Sequence, residues 1–470
     1  MARLCFVAGV LVGAAALRLL AGPGLVNYDT LYTLVWGRQL GHGTLPDLEV
    51  AIAPTPHPLA NLGATLLSPL SSLELGGLHG ELAAATVVAL AYVSLALLGW
   101  VVFALGREWF NTAAGVLAAL IVLTRVPVLD FGARAYIDIP FLVLVLGALL
   151  VETRTPRSGG PVLGLLGLAG LLRPEAWLFS AAYLVWLWIG GVRDPRLWAL
   201  AAAAPVLWAL SDLVVTGDAL HSLTGTRDTA QRLDRITGLG EVPLTAPRRL
   251  GEILREPVLF GAAGGGLLAL TFLRSRVALG AAAGIVAMAA FCVLAGAGLP
   301  ILGRYLLLPA TLLAIFAGAG AFGWAELPRG HPWRRRWAWF GAVTLLGLLA
   351  FAAPQAGRIG ALRDALRIQD AIQGDLHALT PKMRCPPVTV PNHRPVPLLA
   401  LWLDAPPARI AVAQEHPPRA GSYVLPSSPR VAREYILDPR DVDQSIPPPP
   451  PGFRPLGANA SWRLFARACG

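Results

Sequence analysis

Apolar positions in this chain cluster into long blocks instead of alternating with polar ones at the short periods of soluble helices and strands. A bilayer-spanning helix needs about 20 mostly apolar residues. Read in windows of that size, such blocks recur near residues 4–21, 82–105, 112–127, 138–151, 161–173, 175–190, 196–215, 257–273, 277–296, 299–324 and 337–353. The pattern predicts about eleven transmembrane helices. Arg3 ahead of the first block suits a signal peptide, yet no small-residue cleavage site followed by a polar start comes after it, so the block reads as a retained anchor.

Past Phe351 the pattern changes. Ile359, Leu362, Leu366 and Ile368 recur among Arg363, Asp364, Arg367 and Asp370, which predicts an amphipathic helix over 356–379. Short β-rich runs follow at 388–390, 410–413 and 423–425, and a hairpin should pair 453–456 with 462–465 across 457–461. Residues 446–451 read as a polyproline spacer. The expected fold is an all-α polytopic membrane domain over 1–353 followed by a small α+β domain over 354–470.

The spacing of charge orients the membrane part. Arg107, Arg154, Arg157, Arg193, Arg196, Arg274, Arg276, Arg329 and Arg334 to Arg336 fall in short turns, and these turns alternate with longer segments that hold Asp29, Asp47, Asp130 and Asp138. By the positive-inside rule the N-terminus is cytoplasmic and the C-terminal domain extracytoplasmic, so the chain should reside in the cytoplasmic membrane of the cell.

Composition narrows the class. With 55% hydrophobic and 14% charged residues, the chain is far from the roughly 25% charge of a soluble domain. The excess of 38 Lys plus Arg over 28 Asp plus Glu would suggest nucleic acid if clustered on a soluble face; scattered through short turns, it does not. Lys382 is the only lysine, and the Arg, Ala, Gly and Pro bias fits a GC-rich bacterial genome. Cys5 and Cys292 fall within spans, while Cys385 and Cys469 lie at opposite ends of the outer domain. An oxidising compartment lets that pair close into a disulfide; two unrelated thiols are the alternative.

Ionisable residues at the mouth of a helical bundle are costly and therefore candidates for function. Asp29 leaves the first span in Asn27-Tyr28-Asp29-Thr30, Asp138 opens the fourth, Arg173-Pro174-Glu175 forms the turn between the fifth and sixth, and Arg304-Tyr305 stands on the tenth. Arg134 lies in the same outer segment as Asp130. Carboxylates and guanidinium groups on one face suit an anionic amphiphile. A sugar phosphate on a lipid tail needs an apolar groove, an arginine fork for phosphate and a carboxylate to take a proton from an incoming hydroxyl. No nucleotide motif is needed or present.

The order of these motifs resembles GT-C class glycosyltransferases, in particular the glycosyltransferase family 39 and aminoarabinose-transferase branch. The features that carry the resemblance are an acidic residue just after the first span, a long outer loop with two amphipathic stretches (30–40 and 59–75), the turn Pro54-Thr55-Pro56-His57-Pro58-Leu59, Asp138-Ile139-Pro140, Leu172-Arg173-Pro174-Glu175, and Gly303-Arg304-Tyr305 before Leu306 to Leu308 and Pro309. Together they cover most of 1–353. The resemblance implies an integral membrane glycosyltransferase, mannosyltransferase-like, that moves a hexosyl or pentosyl group from a polyprenyl-phosphate donor to a glycan, lipid or protein acceptor in the cell envelope, with inversion. It implies Asp29 as general base and Arg304 with Tyr305 on the donor phosphate; Asp138 is a second catalytic candidate, Arg173 and Arg134 are further candidates for the phosphate, and His57, Glu175 and His221 are candidates for the substrate. Members often carry a second acid where this chain has Thr30. No cofactor is required by any motif; a divalent cation, Mg or Mn, on Asp29 and Asp138 is the variant to consider.

Plainer readings compete with each role. Asp29 and Asp138 suit helix caps, Arg173 and Glu175 suit a mutual pair, Arg304 a snorkelling arginine, and His57 a loop residue. The segment 216–257, with His221, reads as a polar lid loop or simply a solvated one. Trp36, Trp109, Trp177, Trp186, Trp188, Trp198 and Trp208 read as an interfacial belt. A transporter or flippase for a lipid-linked or sugar substrate is the rival function; it would bind at the midplane with internal repeats, and no repeat is visible.

Overall fold

The computed structural model describes residues 2–48, 50, 52–383, 385–439 and 441–468. Every apolar block lies on a helix. Among the described residues five helices have the length and hydropathy to cross a membrane, and eight spans result if each of three bent helix pairs crosses as one. The protein is a multi-pass membrane protein. The expected figure of about eleven also counts the shorter apolar helices Asp138–Arg154, Gly160–Leu172 and Glu175–Ile189.

Small residues set the packing. The segment Gly303–Glu326 is the most deeply buried of the membrane-crossing candidates, and its helix Leu307–Phe322 is rich in Ala and Gly. A Cβ on Gly265 of the helix Glu256–Phe272 would lie 2.2 Å from the Phe316 carbonyl, and one on Gly320 2.4 Å from the Gly261 carbonyl. In lipid, where apolar burial gives no advantage between helices, such close backbone approach is a main source of association. The central helix is thereby fixed, and the turn ahead of it, Gly303–Leu306, carries Arg304.

Outside the spans three expectations are corrected. The stretch 30–40 is not a surface amphipath: in the helix Tyr28–Gly41 every residue from Thr30 to Arg38 is buried. The stretch 59–75 ends as helix at Ser71 and turns into a hairpin, Glu74–Leu75 with Leu78–His79, because Gly76 and Gly77 both adopt positive φ, the geometry of tight hairpin turns. The segment 216–257 is largely helical, as His221–Arg232 and Val242–Leu254. The tryptophans divide as well. Trp188 and Trp198 are about half exposed, as a belt requires, but Trp36, Trp109 and Trp208 are 4% exposed or less and donate to Asp47 O, Thr153 Oγ1 and Ser222 Oγ; they are core residues with satisfied indoles.

Beyond the last span the helix Ala352–Leu379 leads into a sheet. Among the described residues five strands run in the order Ile410–Val412, Val388–Val390, Gly421–Pro426, Trp462–Arg467, Arg454–Ala458, parallel across the first three and antiparallel across the rest. Arg38, 3% exposed, ties this unit to the helix Tyr28–Gly41: Nη1 donates to Leu401 O (2.9 Å), Nη2 to Ala400 O (3.0 Å), and Nε pairs with Asp404 (3.1 Å). Those carbonyls end the buried helix Val396–Trp402, which the sequence pattern did not reveal. The expected pairing of Cys385 with Cys469 falls on a residue outside the described ones.

Candidate functional site

Asp29 is held in position by its neighbours. Asn27, not Asp29, caps the helix Tyr28–Gly41: Asn27 Oδ1 accepts from Thr30 N at 3.1 Å, while Asn27 Nδ2 donates to Thr30 Oγ1 and to Arg134 O, both at 2.8 Å. Thr30 Oγ1 donates in turn to Ala135 O at 2.8 Å. The start of this helix is thus sewn to the 133–135 turn, and the Asp29 carboxylate is left free to face Arg304, whose Nη1 donates to Asp29 Oδ2 at 3.1 Å. The capping reading of Asp29 is overturned. Thr30 belongs to the scaffold.

Arg304 is not snorkelling either. Its guanidinium carbon lies 5.7 Å from the Tyr305 ring centre and 5.8 Å from that of Tyr136, within cation–π range. Its Nε is buried without a partner. A buried unsatisfied donor is costly, and here it is a donor in reserve.

Beside it Asp138 and Glu175 converge on Arg173. Arg173 Nη1 donates to Asp138 Oδ1, and Nε and Nη2 donate to Glu175 Oε1 at 3.0 and 2.5 Å. The Arg173 guanidinium stacks on Tyr305 (4.5 Å) and Phe141 (5.4 Å). Asp138 makes no cap bond, and its second oxygen, Oδ2, is buried without a partner. Each group sits at a helix end, where the backbone leaves a span. Asp138 and Glu175 open helices, Arg173 closes one, and Arg304 precedes one.

Asp138, Arg173, Glu175, Arg304 and Tyr305 line one cavity, walled otherwise by Phe141, Phe179, Phe291 and Leu308 among others. Its free volume is about 20 Å³, enough for about one water. His57, the residue before the helix Pro58–Leu66, stands nearby with Nδ1 buried and unpartnered and its ring edge-on to Trp208 at 5.7 Å. Burial first, then the positive charges of Arg173 and Arg304, push its pKa down to about 3. The ring is therefore neutral at physiological pH.

Two expected site residues stand apart from the cavity. Arg134 donates to Asp130 Oδ1 and Gln369 Oε1, each at 2.6 Å. His221 opens the helix His221–Arg232, whose first turn is held by Asp212 accepting from the Ser222 amide and hydroxyl at 2.9 Å. Sequence reading gave no role to Asn27 or Phe141. An Asn two residues ahead of an acid at a helix start was a legible cap signal; nothing in the pattern marks Phe141.

The residues present do not assemble a metal donor set. Among the described residues no group of three or more His, Cys, Asp and Glu side chains gathers, and Asp29 and Asp138 are each taken by a different guanidinium.

No protein-family model and no curated protein sequence matches the chain. Its fold has solved counterparts. It is similar to ArnT from Cupriavidus metallidurans bound to undecaprenyl phosphate, at 16% identity and a TM-score of 0.56, over 98% of this chain and 97% of that one. It is similar to the archaeal oligosaccharyltransferase AglB from Archaeoglobus fulgidus in complex with an inhibitory peptide and a dolichol-phosphate, at 13% identity and a TM-score of 0.51, over 85% of this chain and 64% of that one. It is also similar to an oligosaccharyltransferase from Archaeoglobus fulgidus in complex with Zn and sulfate, at 16% identity and a TM-score of 0.50, over 84% of this chain and 61% of that one. The fold is thus GT-C-like over nearly the whole chain.

Proposed function

We propose that the protein is an integral membrane glycosyltransferase that moves a sugar from a polyprenyl-phosphate donor to a hydroxyl- or amide-bearing acceptor on the extracytoplasmic side. The observation that carries this reading is the Asp29–Arg304 pair, a half-open carboxylate on a guanidinium with an unspent donor, at the mouth of a GT-C-like helical fold. Undecaprenyl phosphate on ArnT and dolichol-phosphate on AglB support the donor class.

The residues divide the work. Arg304 offers its free Nε to the donor phosphate, and as that phosphate takes its share of the guanidinium, Asp29 is released as a base. The acceptor hydroxyl gives its proton to Asp29 as its oxygen bonds to the sugar C1. The bond from C1 to the phosphate oxygen breaks on the opposite face, so the anomeric centre inverts. The charge left on the departing phosphate is held by Arg304, where a fixed donor contributes most. The Tyr305 and Tyr136 rings hold Arg304 in place. Neutral His57 adds no further positive charge beside Arg173 and Arg304. The arginine-rich turns support a cytoplasmic N-terminus. Transport is the less supported reading, since the solved proteins that share the fold are transferases.

Donor turnover by purified protein in lipid, with a panel of polyprenyl-phosphate sugars and cell-envelope extract as acceptor, tests this. Wild type should release polyprenyl phosphate, and Asp29→Asn should do so about 10²–10⁴-fold more slowly, the usual range for losing a general base. No turnover of any donor by wild type would remove the transferase; equal turnover by both proteins would remove Asp29 from the mechanism.

A further inference from the structure

A second basic site lies away from the cavity. Arg18, in the last turn of the membrane-spanning helix Ala2–Ala21, faces Arg363 and Arg367 of the helix Ala352–Leu379 across a groove of about 490 Å³ that is otherwise lined by Ala15, Leu19, Gly22 and Pro23. Three guanidinium groups in one groove repel one another unless an anion joins them. Among the described residues the Nε of Arg363 is buried with no hydrogen-bond partner. Backbone makes the cradle. Gly22 adopts φ +100 and lies so close to Arg363 that a Cβ there would stand 3.0 Å from its Cγ, while the Gly22 carbonyl is anchored by Tyr92 Oη at 2.9 Å. The groove therefore holds the arginine stem in place and leaves its head unsatisfied.

Its lower wall identifies the occupant. Leu19 is 75% exposed, and Leu4, Val7, Leu11 and Val12 on the same helix are also exposed, a face that only acyl chains cover in a membrane-spanning helix. We propose that Arg18, Arg363 and Arg367 bind the phosphodiester headgroup of an anionic glycerophospholipid from the surrounding bilayer, its acyl chains lying along that face. A free phosphate would satisfy the charge but leave the exposed leucines uncovered. Guanidinium groups hold a phosphodiester by charge-assisted hydrogen bonds. The lipid then clamps the helix that carries the C-terminal unit to the first span. This site is independent of the proposed transfer reaction and shares no residue with it.

Full-length protein, stripped in detergent and reconstituted in phosphatidylcholine vesicles with or without one-fifth phosphatidylglycerol, is re-extracted mildly and the phosphatidylglycerol that remains bound is counted by mass spectrometry. Wild type should retain about one molecule per chain, and Arg18→Gln/Arg363→Gln/Arg367→Gln at least tenfold less. Arg367→Gln alone, at an exposed position that folding does not need, should lose several-fold. A control that removes the same charge elsewhere, Arg409→Gln/Arg419→Gln/Arg454→Gln, should retain the lipid as wild type does. Equal retention by the triple variant, or equal loss in the control, overturns the site. Displacement of the lipid by 10 mM inorganic phosphate would also overturn it, in favour of a soluble anion.

Discussion

Two arginine–carboxylate clusters meet at the mouth of this fold, and they are built on opposite plans. In the Asp29–Arg304 pair the side chains are 31% and 24% exposed and share one bond of 3.1 Å. In the Asp138–Arg173–Glu175 cluster the side chains are 2%, 6% and 9% exposed, and Arg173 is spread over both acids. A buried ion pair offsets its desolvation only when its hydrogen bonds are satisfied, and the Arg173 cluster nearly meets that condition. The Asp29 pair does not need to, because water reaches it. The sealed cluster is thus fitted to hold the helix ends together, and the open pair to exchange partners during a reaction.

That division is broken if the sealed arginine turns out to be the working one. Arg304→Met should lower turnover about 10²–10³-fold, the scale of removing one fixed donor from a developing oxyanion, with thermal unfolding in detergent close to wild type. Equal loss of turnover and of melting temperature would show that Arg304 is structural and would erase the distinction.

The converse substitution acts on stability. Arg173→Met leaves Asp138 and Glu175 as buried charges without a partner, and breaking such a cluster costs about 3–5 kcal/mol. Chemical denaturation in mixed micelles should show that loss. Replacing all three residues with apolar ones of similar size, as Arg173→Met/Asp138→Leu/Glu175→Leu, should recover most of it, since no charge is then left buried. A triple variant as unstable as the single one would mean that the cluster is more than an ion pair in the scaffold.

How far the sequence foretold this contrast depends on the kind of information. Each charged member could be named, because an ionisable side chain at the end of an apolar block is rare enough to stand out. The strands at 388–390, 410–412 and 421–426 were likewise legible from β-branched runs between Gly and Pro. Partnership was not legible. Arg304 reaches back 275 residues to Asp29, and Arg134, expected on the donor phosphate, reaches forward 235 residues to Gln369; neither choice has a local signal. The helix Val396–Trp402 went unseen for another reason. Seven apolar or proline residues, all buried, show no period by which a helix is told from a strand.

The smallest expected effect asks which arginine presses harder on the residue between them. His57 takes up a proton in the folded protein only near pH 3, whereas an unfolded histidine does so near pH 6.5. Below about pH 6.5 the unfolded chain therefore binds more protons at this position, so this histidine makes stability fall as the pH drops from about 6.5 toward 3 and has no influence above that window. His393, pushed down to about 4 by burial and by Arg394, acts with the same sign. The unfolding free energy of His57→Gln, followed from pH 7 to pH 4.5, should show a shallower decline than wild type by up to one proton, about 1.4 kcal/mol per pH unit. Burial is the largest cause and Arg173 the stronger of the two positive neighbours, so on a background lacking Arg304 most of the His57 dependence should survive. If it vanished there, the open pair would set the field at His57 and the sealed cluster would be electrically self-contained.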